Sequence, residues 1–234
     1  MSTPLLRVED LQGWYGESHV LHGMRFSITR GEVVTLLGRN GAGKTTTMRA
    51  IMGILGRRSG SVQFAGQETI ALPPERIARL GIAYCPEERG IFASLNVHEN
   101  LMLPPRVAEG GLGIDEIYAL FPNLQERRRS PGNRLSGGEQ QMLAIARILR
   151  TGAPLLLLDE PTEGLAPVII QQIARAIRSL KERGFTILLV EQNARFAARV
   201  ADRHYIVEHG TVVDQFTTAE LETEGGKVNA YLGV

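Results

Sequence analysis

The 234-residue chain contains a single cysteine, Cys85, so it cannot form an internal disulfide. Disulfides persist mainly in oxidising compartments, and their absence favours a reducing one. The chain also lacks any stretch near the roughly 20 apolar residues that a membrane-spanning helix needs. The first residues, MSTPLLRVEDLQ, contain no apolar core of a signal peptide. We therefore expect any membrane role to depend on partner proteins.

The chain has no excess of one charge either, because 26 basic residues face 25 acidic ones, for a net charge of +1. Such a balance gives no general attraction to nucleic acid or anionic lipid, so we expect no nucleic-acid partner. The basic cluster Arg127–Arg129 is interpreted as a solvated helix face. A content of 43% hydrophobic and 22% charged residues is ordinary for a globular protein with an ample core.

Short apolar runs without polar alternation indicate strands that are covered on both faces, as in parallel sheets. Helical patterns lie between them, and strands alternating with helices predict an α/β fold. Residues 45–55 and 168–184 each place apolar residues on one face of a helix, and residues 205–216 predict a hairpin turning at His209–Gly210. The predicted strands cover residues 33–37, 82–85, 155–158 and 186–190.

The stretch from about 93 to 150 lacks clear strands and carries helical patterns broken by Pro and Gly. We interpret it as a helical subdomain inserted into the α/β core, which would occupy about residues 1–92 and 151–234 of a single domain spanning 1–234.

Residues 38–45, GRNGAGKT, fit the pattern G-x-x-x-x-G-K-[ST] completely, between a predicted strand and a predicted helix. Glycines let the backbone wrap around an anion, and the helix start adds the positive end of its dipole. Lys44 is then placed to reach the β- and γ-phosphates, and Thr45 to offer a hydroxyl to Mg²⁺. A chance glycine-rich turn would not explain this context. We predict that ATP is bound by Gly38, Arg39, Asn40, Gly41, Ala42, Gly43, Lys44, Thr45 and Thr46.

Residues 155–161, LLLLDEP, run from four leucines into two acids, and Pro161 then ends the element. Because side chains alternate along a strand, Asp159 and Glu160 should point in different directions. We predict that Asp159 serves Mg²⁺ through a coordinated water, and that Glu160 orients or deprotonates the attacking water. Mg²⁺ and Lys44 would supply the opposite charge. Taken alone, the motif is equally compatible with two solvated acids at a strand end.

Residues 135–150 begin with LSGGEQQ, in which Ser136 precedes Glu139 by the spacing of a capping box. Two glycines follow the serine, so the backbone at the start of an amphipathic helix is bare. Helix N-termini of this kind bind anions, which makes the segment a second candidate phosphate contact. An ordinary helix cap explains the same residues.

LSGGEQQ resembles the signature of ABC-type ATPases, and the phosphate loop and LLLLDEP match the order and spacing of that family over essentially the whole chain. The resemblance implies a P-loop NTPase core with a mostly parallel sheet, an N-terminal antiparallel β portion and an inserted helical subdomain. It also implies that two ATPase domains, identical or different, enclose two nucleotides, each signature acting on the ATP of the partner. Tyr15 lies where the family keeps an aromatic that stacks on adenine. The implied signature residues are Leu135, Ser136, Gly137, Gly138 and Glu139.

Further segments are similar to the LivF-type ATPases of bacterial branched-chain amino acid importers, namely VEQN (190–193), GLAP (164–167), FPNLQERR (121–128) and the terminal YLGV. This likeness implies a motor subunit at the cytoplasmic face of the inner membrane. Its implied partners are a sister ATPase, two membrane permeases and, through the complex, a periplasmic solute-binding protein. The segments YGESHVLHG and PTEGL are also similar to ATPases of urea and short-chain amide importers, which stay an open alternative.

Three positions depart from the general ABC pattern. Glu87 replaces the loop glutamine near the metal, Ala166 replaces an aspartate that touches the partner domain, and Gln192 replaces the switch histidine. Glu87 can still bind Mg²⁺ together with Thr45 and Asp159, whereas Ala166 cannot make a polar contact across a dimer. Gln192 can donate an N–H to a phosphate but cannot carry a positive charge. The resemblance therefore predicts catalysis by Lys44, Glu160 and Gln192, at a site that differs from the family's usual one.

Two other classes of protein carry related motifs. Soluble ABC ATPases of DNA maintenance have long coiled-coil insertions, and those of translation have two ATPase domains in one chain; this chain shows neither. A P-loop kinase would give LSGGEQQ no role. We therefore expect a transport ATPase.

Overall fold

The computed structural model of this protein describes residues 3–223 and 231. In these residues, helices pack on two β-sheets. The strands are β1 (Leu6–Tyr15), β2 (Ser18–Ile28), β3 (Val33–Leu37), β4 (Arg57–Phe64), β5 (Gln67–Glu68), β6 (Ile82–Cys85), β7 (Leu155–Asp159), β8 (Thr186–Glu191), β9 (Arg203–Glu208) and β10 (Thr211–Thr217). The helices are α1 (Lys44–Ile51), α2 (Pro74–Leu80), α3 (Val97–Met102), α4 (Ile114–Leu120), α5 (Pro122–Glu126), α6 (Gly137–Leu149), α7 (Pro167–Glu182), α8 (Ala194–Val200) and α9 (Thr218–Thr223).

The larger sheet has the order β10-β9-β3-β8-β7-β6, and all of its pairings are parallel except that of β10 with β9. All four apolar runs predicted as strands are strands of this sheet. Leu37 pairs with Glu191, and Asp159 pairs with Val190, so the carboxyl ends of β3, β8 and β7 meet at one edge. Ligands of open parallel sheets bind at this edge.

The smaller sheet has the order β2-β1-β4-β5 and is antiparallel throughout, as the resemblance implied for the N-terminal portion. The two sheets share one core, in which residues of β1, β2 and β4 pack with one face of β3, β7 and β8. The opposite face of the same strands packs with α6 and α7. Alternate residues of β7 therefore enter different cores, which is why an uninterrupted leucine run is required there.

Helix α1 ends at Ile51, four residues earlier than the apolar pattern predicted. Gly53 has a φ of 73°, and the N–H groups of Ile54 and Leu55 both donate to the carbonyl of Arg49, which closes the helix in a turn. Leu55 is nevertheless buried, so it continues the apolar face from outside the helix. The prediction failed because periodicity reports which side chains are buried and not where the helical hydrogen bonds stop.

The predicted hairpin is confirmed as β9 and β10, joined by His209 with a φ of 47° and Gly210 with a φ of 73°. Two successive left-handed residues are the mark of the tight turn that matches strand twist. Between residues 93 and 150 the chain forms α3 to α6 and a single 3₁₀ turn, as the pattern predicted, although the subdomain boundaries stay a prediction. Across the described residues, no helix combines the length and apolarity needed to cross a membrane.

Candidate nucleotide site

The phosphate loop links β3 to α1 and leaves its N–H groups uncommitted. In the described part of the chain, the backbone N–H groups of residues 43–46 donate no hydrogen bond, and no side chain caps α1. Gly41 and Gly43 have φ values of 81° and 106°, which only glycine adopts readily. Uncommitted N–H groups at a helix N-terminus form a cradle for an anion, so the predicted loop fits a phosphate group.

The loop is held against the hairpin of β9 and β10. The N–H of Gly210 donates to the carbonyl of Ala42 at 2.9 Å. A side chain at Gly38 would place its Cβ 2.3 Å from the carbonyl oxygen of Val207, so only glycine allows this approach. The hairpin thus packs against one side of the loop and leaves the other side for a ligand.

Lys44 is 3% exposed, and its ammonium group has three oxygen partners. Its Nζ donates to the carbonyls of Gly38 at 2.8 Å and Arg39 at 3.0 Å, and lies 3.1 Å from Oε1 of Glu160. Breaking such a buried pair leaves an uncompensated charge, so the two residues are interdependent. The structure thereby joins two of the three residues predicted to be catalytic.

Asp159 is the last residue of β7, and Glu160 lies beyond the strand with a φ of 44°. The two acids diverge because of this left-handed turn and not through the strand alternation that the sequence suggested. Left-handed backbone at a bulky residue is strained and is concentrated at functional sites. The N–H of Glu160 donates to the carbonyl of Val190 at 3.1 Å, which holds the turn against β8.

Asp159 is fully buried and accepts two hydroxyl hydrogen bonds. Thr45 Oγ1 lies 2.9 Å from Oδ1, and the phenol oxygen of Tyr84 lies 2.8 Å from Oδ2. Burial raises the pKa of Asp159, although both hydroxyls act in the opposite direction. Tyr84 was not among the predicted residues, because its contact depends on β6 lying next to β7.

Glu87 lies in the electrostatic field of the same acids. Burial and then the charges of Glu160 and Asp159 raise the pKa of Glu87. Among the described residues, no three or more His, Cys, Asp or Glu side chains form a group that could hold a metal ion. The protein itself therefore offers Thr45 and Asp159 in contact with each other. Mg²⁺ in nucleotide sites needs only one or two protein oxygens, because phosphates and waters complete its shell, so this donor set fits that ion.

Gln192, the first residue after β8, reaches the carboxylate of Glu160. Its Nε2 lies 3.4 Å from Oε2 of Glu160 and 2.9 Å from Oε2 of Glu163. The position is therefore close to Glu160, and its closeness to the γ-phosphate stays a prediction. Glu163 is a further partner that the sequence motif did not single out.

Tyr15 ends β1 with 44% of its surface exposed, which leaves its ring available for stacking. Its contact with Arg49 is the largest cause of the raised pKa of that arginine. Arg49 belongs to α1, so the predicted base-stacking residue is next to the helix that carries the phosphate loop.

The signature segment caps α6 as predicted. Ser136 N–H donates to Oε2 of Glu139 at 2.7 Å, and the N–H of Glu139 donates to Oγ of Ser136 at 3.3 Å. A Cβ at Gly138 would lie 2.8 Å from Cγ1 of Ile169, so the glycine lets α6 approach α7. Across residues 3–223 and 231, no hydrogen bond or ion pair joins residues 135–139 to residues 38–46. The capping box thus explains the helix start, while the segment has no contact with the phosphate loop of its own chain.

A phosphate-binding loop after a central parallel strand, with two acids at the end of a strand in the same sheet, defines a P-loop nucleotide-binding domain. The chain belongs to the ABC transporter family, whose sequence pattern matches residues 21–163.

Individual relatives cover nearly all of the chain. It is 43% identical over 232 residues to the high-affinity branched-chain amino acid transport ATP-binding protein BraG of Pseudomonas aeruginosa, covering 98% of this chain and 100% of BraG. It is 37% identical over 221 residues to a probable branched-chain amino acid transport ATP-binding protein, LivF, of Archaeoglobus fulgidus, covering 93% and 94% of the two chains. A solved ATP-binding subunit of an ABC transporter has a TM-score of 0.80 at 31% identity, covering 98% of this chain and 100% of that one.

Proposed function

We propose that this protein binds and hydrolyses ATP as the motor subunit of a bacterial importer of branched-chain amino acids. The observation that carries the proposal is the buried contact of Lys44 with Glu160 beside that of Thr45 with Asp159. It brings the phosphate-binding lysine and the two strand-end acids to one edge of the sheet. Similarity to BraG and LivF supports the transport role and the solute class.

Each residue of the site has a distinct task in this proposal. Bound Mg²⁺ would neutralise phosphate charge, and Thr45 and Asp159 would hold it with Glu87 beside them. Lys44 would exchange Gly38, Arg39 and Glu160 for phosphate oxygens. Glu160, released from the lysine, would orient a water molecule and accept its proton.

A second ATPase domain completes the proposed site. Residues 135–139 cap a helix whose bare N-terminus does not contact the phosphate loop of its own chain. In a face-to-face dimer this N-terminus would contact the ATP held by the partner, where its dipole favours the negative charge. The further partners are two membrane permeases and a periplasmic solute-binding protein, which would place this subunit at the cytoplasmic face of the inner membrane.

Reconstitution with the permeases tests the solute. We expect ATP hydrolysis by the complex to rise when the solute-binding protein is loaded with leucine, isoleucine or valine. A response to urea or short-chain amides alone would assign the complex to that related importer class. A complex that forms but responds to no solute would contradict the transport proposal.

Lys44→Ala tests the phosphate loop itself. The variant removes a charge-assisted contact, so binding of Mg-ATP should weaken by about 1.5–3 kcal/mol. Isothermal calorimetry of the purified chain measures the loss. Arg7→Ala is a suitable control, because Arg7 forms an exposed ion pair with Glu9 in β1. Equal affinity in Lys44→Ala and wild type would remove residues 38–45 from the ATP site.

A further inference from the structure

We propose that Tyr84 is a positioning residue that fixes Asp159 for the divalent cation. The phenol oxygen of Tyr84 lies 2.8 Å from Oδ2 of Asp159, while Thr45 Oγ1 lies 2.9 Å from Oδ1. Both oxygens of one buried carboxylate are thus held by hydroxyl groups from two different elements, β6 and α1. The proposal rests on the proposed function, because it presupposes that Asp159 serves Mg²⁺.

The environment of Tyr84 keeps it a hydrogen-bond donor. A phenol is protonated at neutral pH, and its hydroxyl faces Oδ2 of the Asp159 carboxylate, which can only accept a hydrogen bond. A carboxylate with one oxygen held in this way cannot rotate freely, and its other oxygen stays directed at Thr45. Groups that orient a metal-binding side chain in this manner typically change metal affinity about 10- to 100-fold when they are removed.

Arg49 extends the same network to the other side of the site. It follows Thr45 by four residues on α1, which is one helical turn. Its Nη2 lies 3.1 Å from Oε1 of Glu88, and its contacts with Tyr15 and then Tyr84 raise the pKa of Arg49. Arg49 thereby connects the Tyr84 ring to the end of β1 and to the loop that carries Glu87. We expect Arg49 to restrain the Tyr84 side chain beside Asp159.

The test is Tyr84→Phe, which removes only the hydroxyl group. The Mg²⁺ concentration needed for half-maximal ATP binding should rise about tenfold, the effect of one hydrogen bond to a charged group. Binding of ATP in the presence of EDTA should not change, since the lysine and the loop N–H groups are untouched. Calorimetry measures both, and fluorescence of Trp14, the single tryptophan and the neighbour of Tyr15, gives a second signal.

Tyr118→Phe provides the matched control. The Tyr118 hydroxyl lies 3.3 Å from the His98 ring in the helical region, so the same atom is removed away from the site. This variant should need the same Mg²⁺ concentration as wild type. A similar shift in both tyrosine variants would show a general loss of rigidity and would overturn the proposal.

A double-mutant cycle separates positioning from a merely structural role. If Tyr84 acts through Asp159, Tyr84→Phe should add no further Mg²⁺ requirement to Asp159→Asn. Fully additive effects would show that Tyr84 acts elsewhere. Arg49→Gln should raise the requirement in the wild-type background and not in Tyr84→Phe. If Tyr84→Phe fails to fold, Arg49→Gln in the wild-type background replaces it in the test. An unchanged Mg²⁺ requirement in Arg49→Gln would then overturn the proposal.

A wild-type chain that binds no Mg-ATP would refute the proposed function. A wild-type chain that binds Mg-ATP, with Tyr84→Phe needing the same Mg²⁺ concentration, would refute the positioning role alone.

Discussion

Glu160 is held by its backbone conformation and by two side-chain contacts. It adopts a left-handed backbone, pairs with Lys44 and contacts Gln192. Each contact comes from a different element: α1 supplies Lys44, and the segment after β8 supplies Gln192. In the proposed reaction Lys44 moves to the phosphate, so the left-handed turn and the contact with Gln192 are what would keep the Glu160 carboxylate in place.

The side chain of Gln192 lies beside Glu160 but carries no charge. Its Nε2 donates to Glu163 at 2.9 Å and lies 3.4 Å from Glu160. A protonated histidine stabilises developing phosphate charge better than an amide, so Gln192→His should raise kcat about 5- to 30-fold with ATP affinity unchanged. Steady-state kinetics of the assembled complex give the answer, with Gln171→His on the exposed side of α7 as control. An equal or lower kcat in an intact complex would show that Gln192 is neutral there.

Among the elements, the hairpin of β9 and β10 supports the phosphate loop, a role that its sequence does not predict. Gly210 donates to Ala42 in the phosphate loop and accepts from the N–H of His22 in β2. It therefore connects the loop to both sheets. A Cβ at Gly210 would lie 2.0 Å from the carbonyl oxygen of Val20, so a side chain there must displace the hairpin, the loop or both.

Gly210→Ala should therefore lower the free energy of unfolding by more than an alanine at a glycine that has a similar left-handed backbone but open space around it. Gly66 is the matched control, since its φ is 81° against 73° for Gly210, and an added Cβ meets nothing within 4 Å. We expect Gly66→Ala to lower the free energy of unfolding by about 1–2 kcal/mol, the cost of left-handed backbone. Gly210→Ala should exceed that value and also weaken ATP binding. Denaturant unfolding and calorimetry measure the two effects, and equal losses in both variants would contradict the supporting role.

A helix or strand can be predicted from the sequence where its residue pattern is compatible with only one structure. The leucine run of β7 and the run of β3 must be strands covered on both faces, and the structure confirms this. Contacts between elements are different, because they depend on strand order. Tyr84 touches Asp159 only because β6 neighbours β7, and the left-handed turn at Glu160 is stabilised by Val190 of β8. Neither fact is contained in local periodicity.

On the scale of the whole molecule, one chain holds two separate halves of the proposed chemistry. The phosphate loop and the strand-end acids lie at the edge of the larger sheet, whereas residues 135–139 begin α6 in the helical region. The described residues show no bond between the two. In the proposed dimer, ATP would be hydrolysed only when a second domain is present, which would make turnover responsive to the permeases that bring the domains together.

Glu160→Gln should stop the cycle at the closed dimer. The amide cannot accept a proton from water, so ATP stays intact. Without a nucleotide, Lys44 still has the carbonyls of Gly38 and Arg39 as partners and can exchange them for phosphate oxygens, so ATP still binds. Sedimentation velocity with Mg-ATP should then show a stable dimer, of this chain alone or with the sister ATPase. Glu163→Gln is the control, because it makes the same chemical change at an exposed acid beside Gln192. Hydrolysis at the wild-type rate by Glu160→Gln would contradict this role of Glu160. So would a Glu160→Gln chain that binds ATP but stays monomeric both alone and with the sister ATPase.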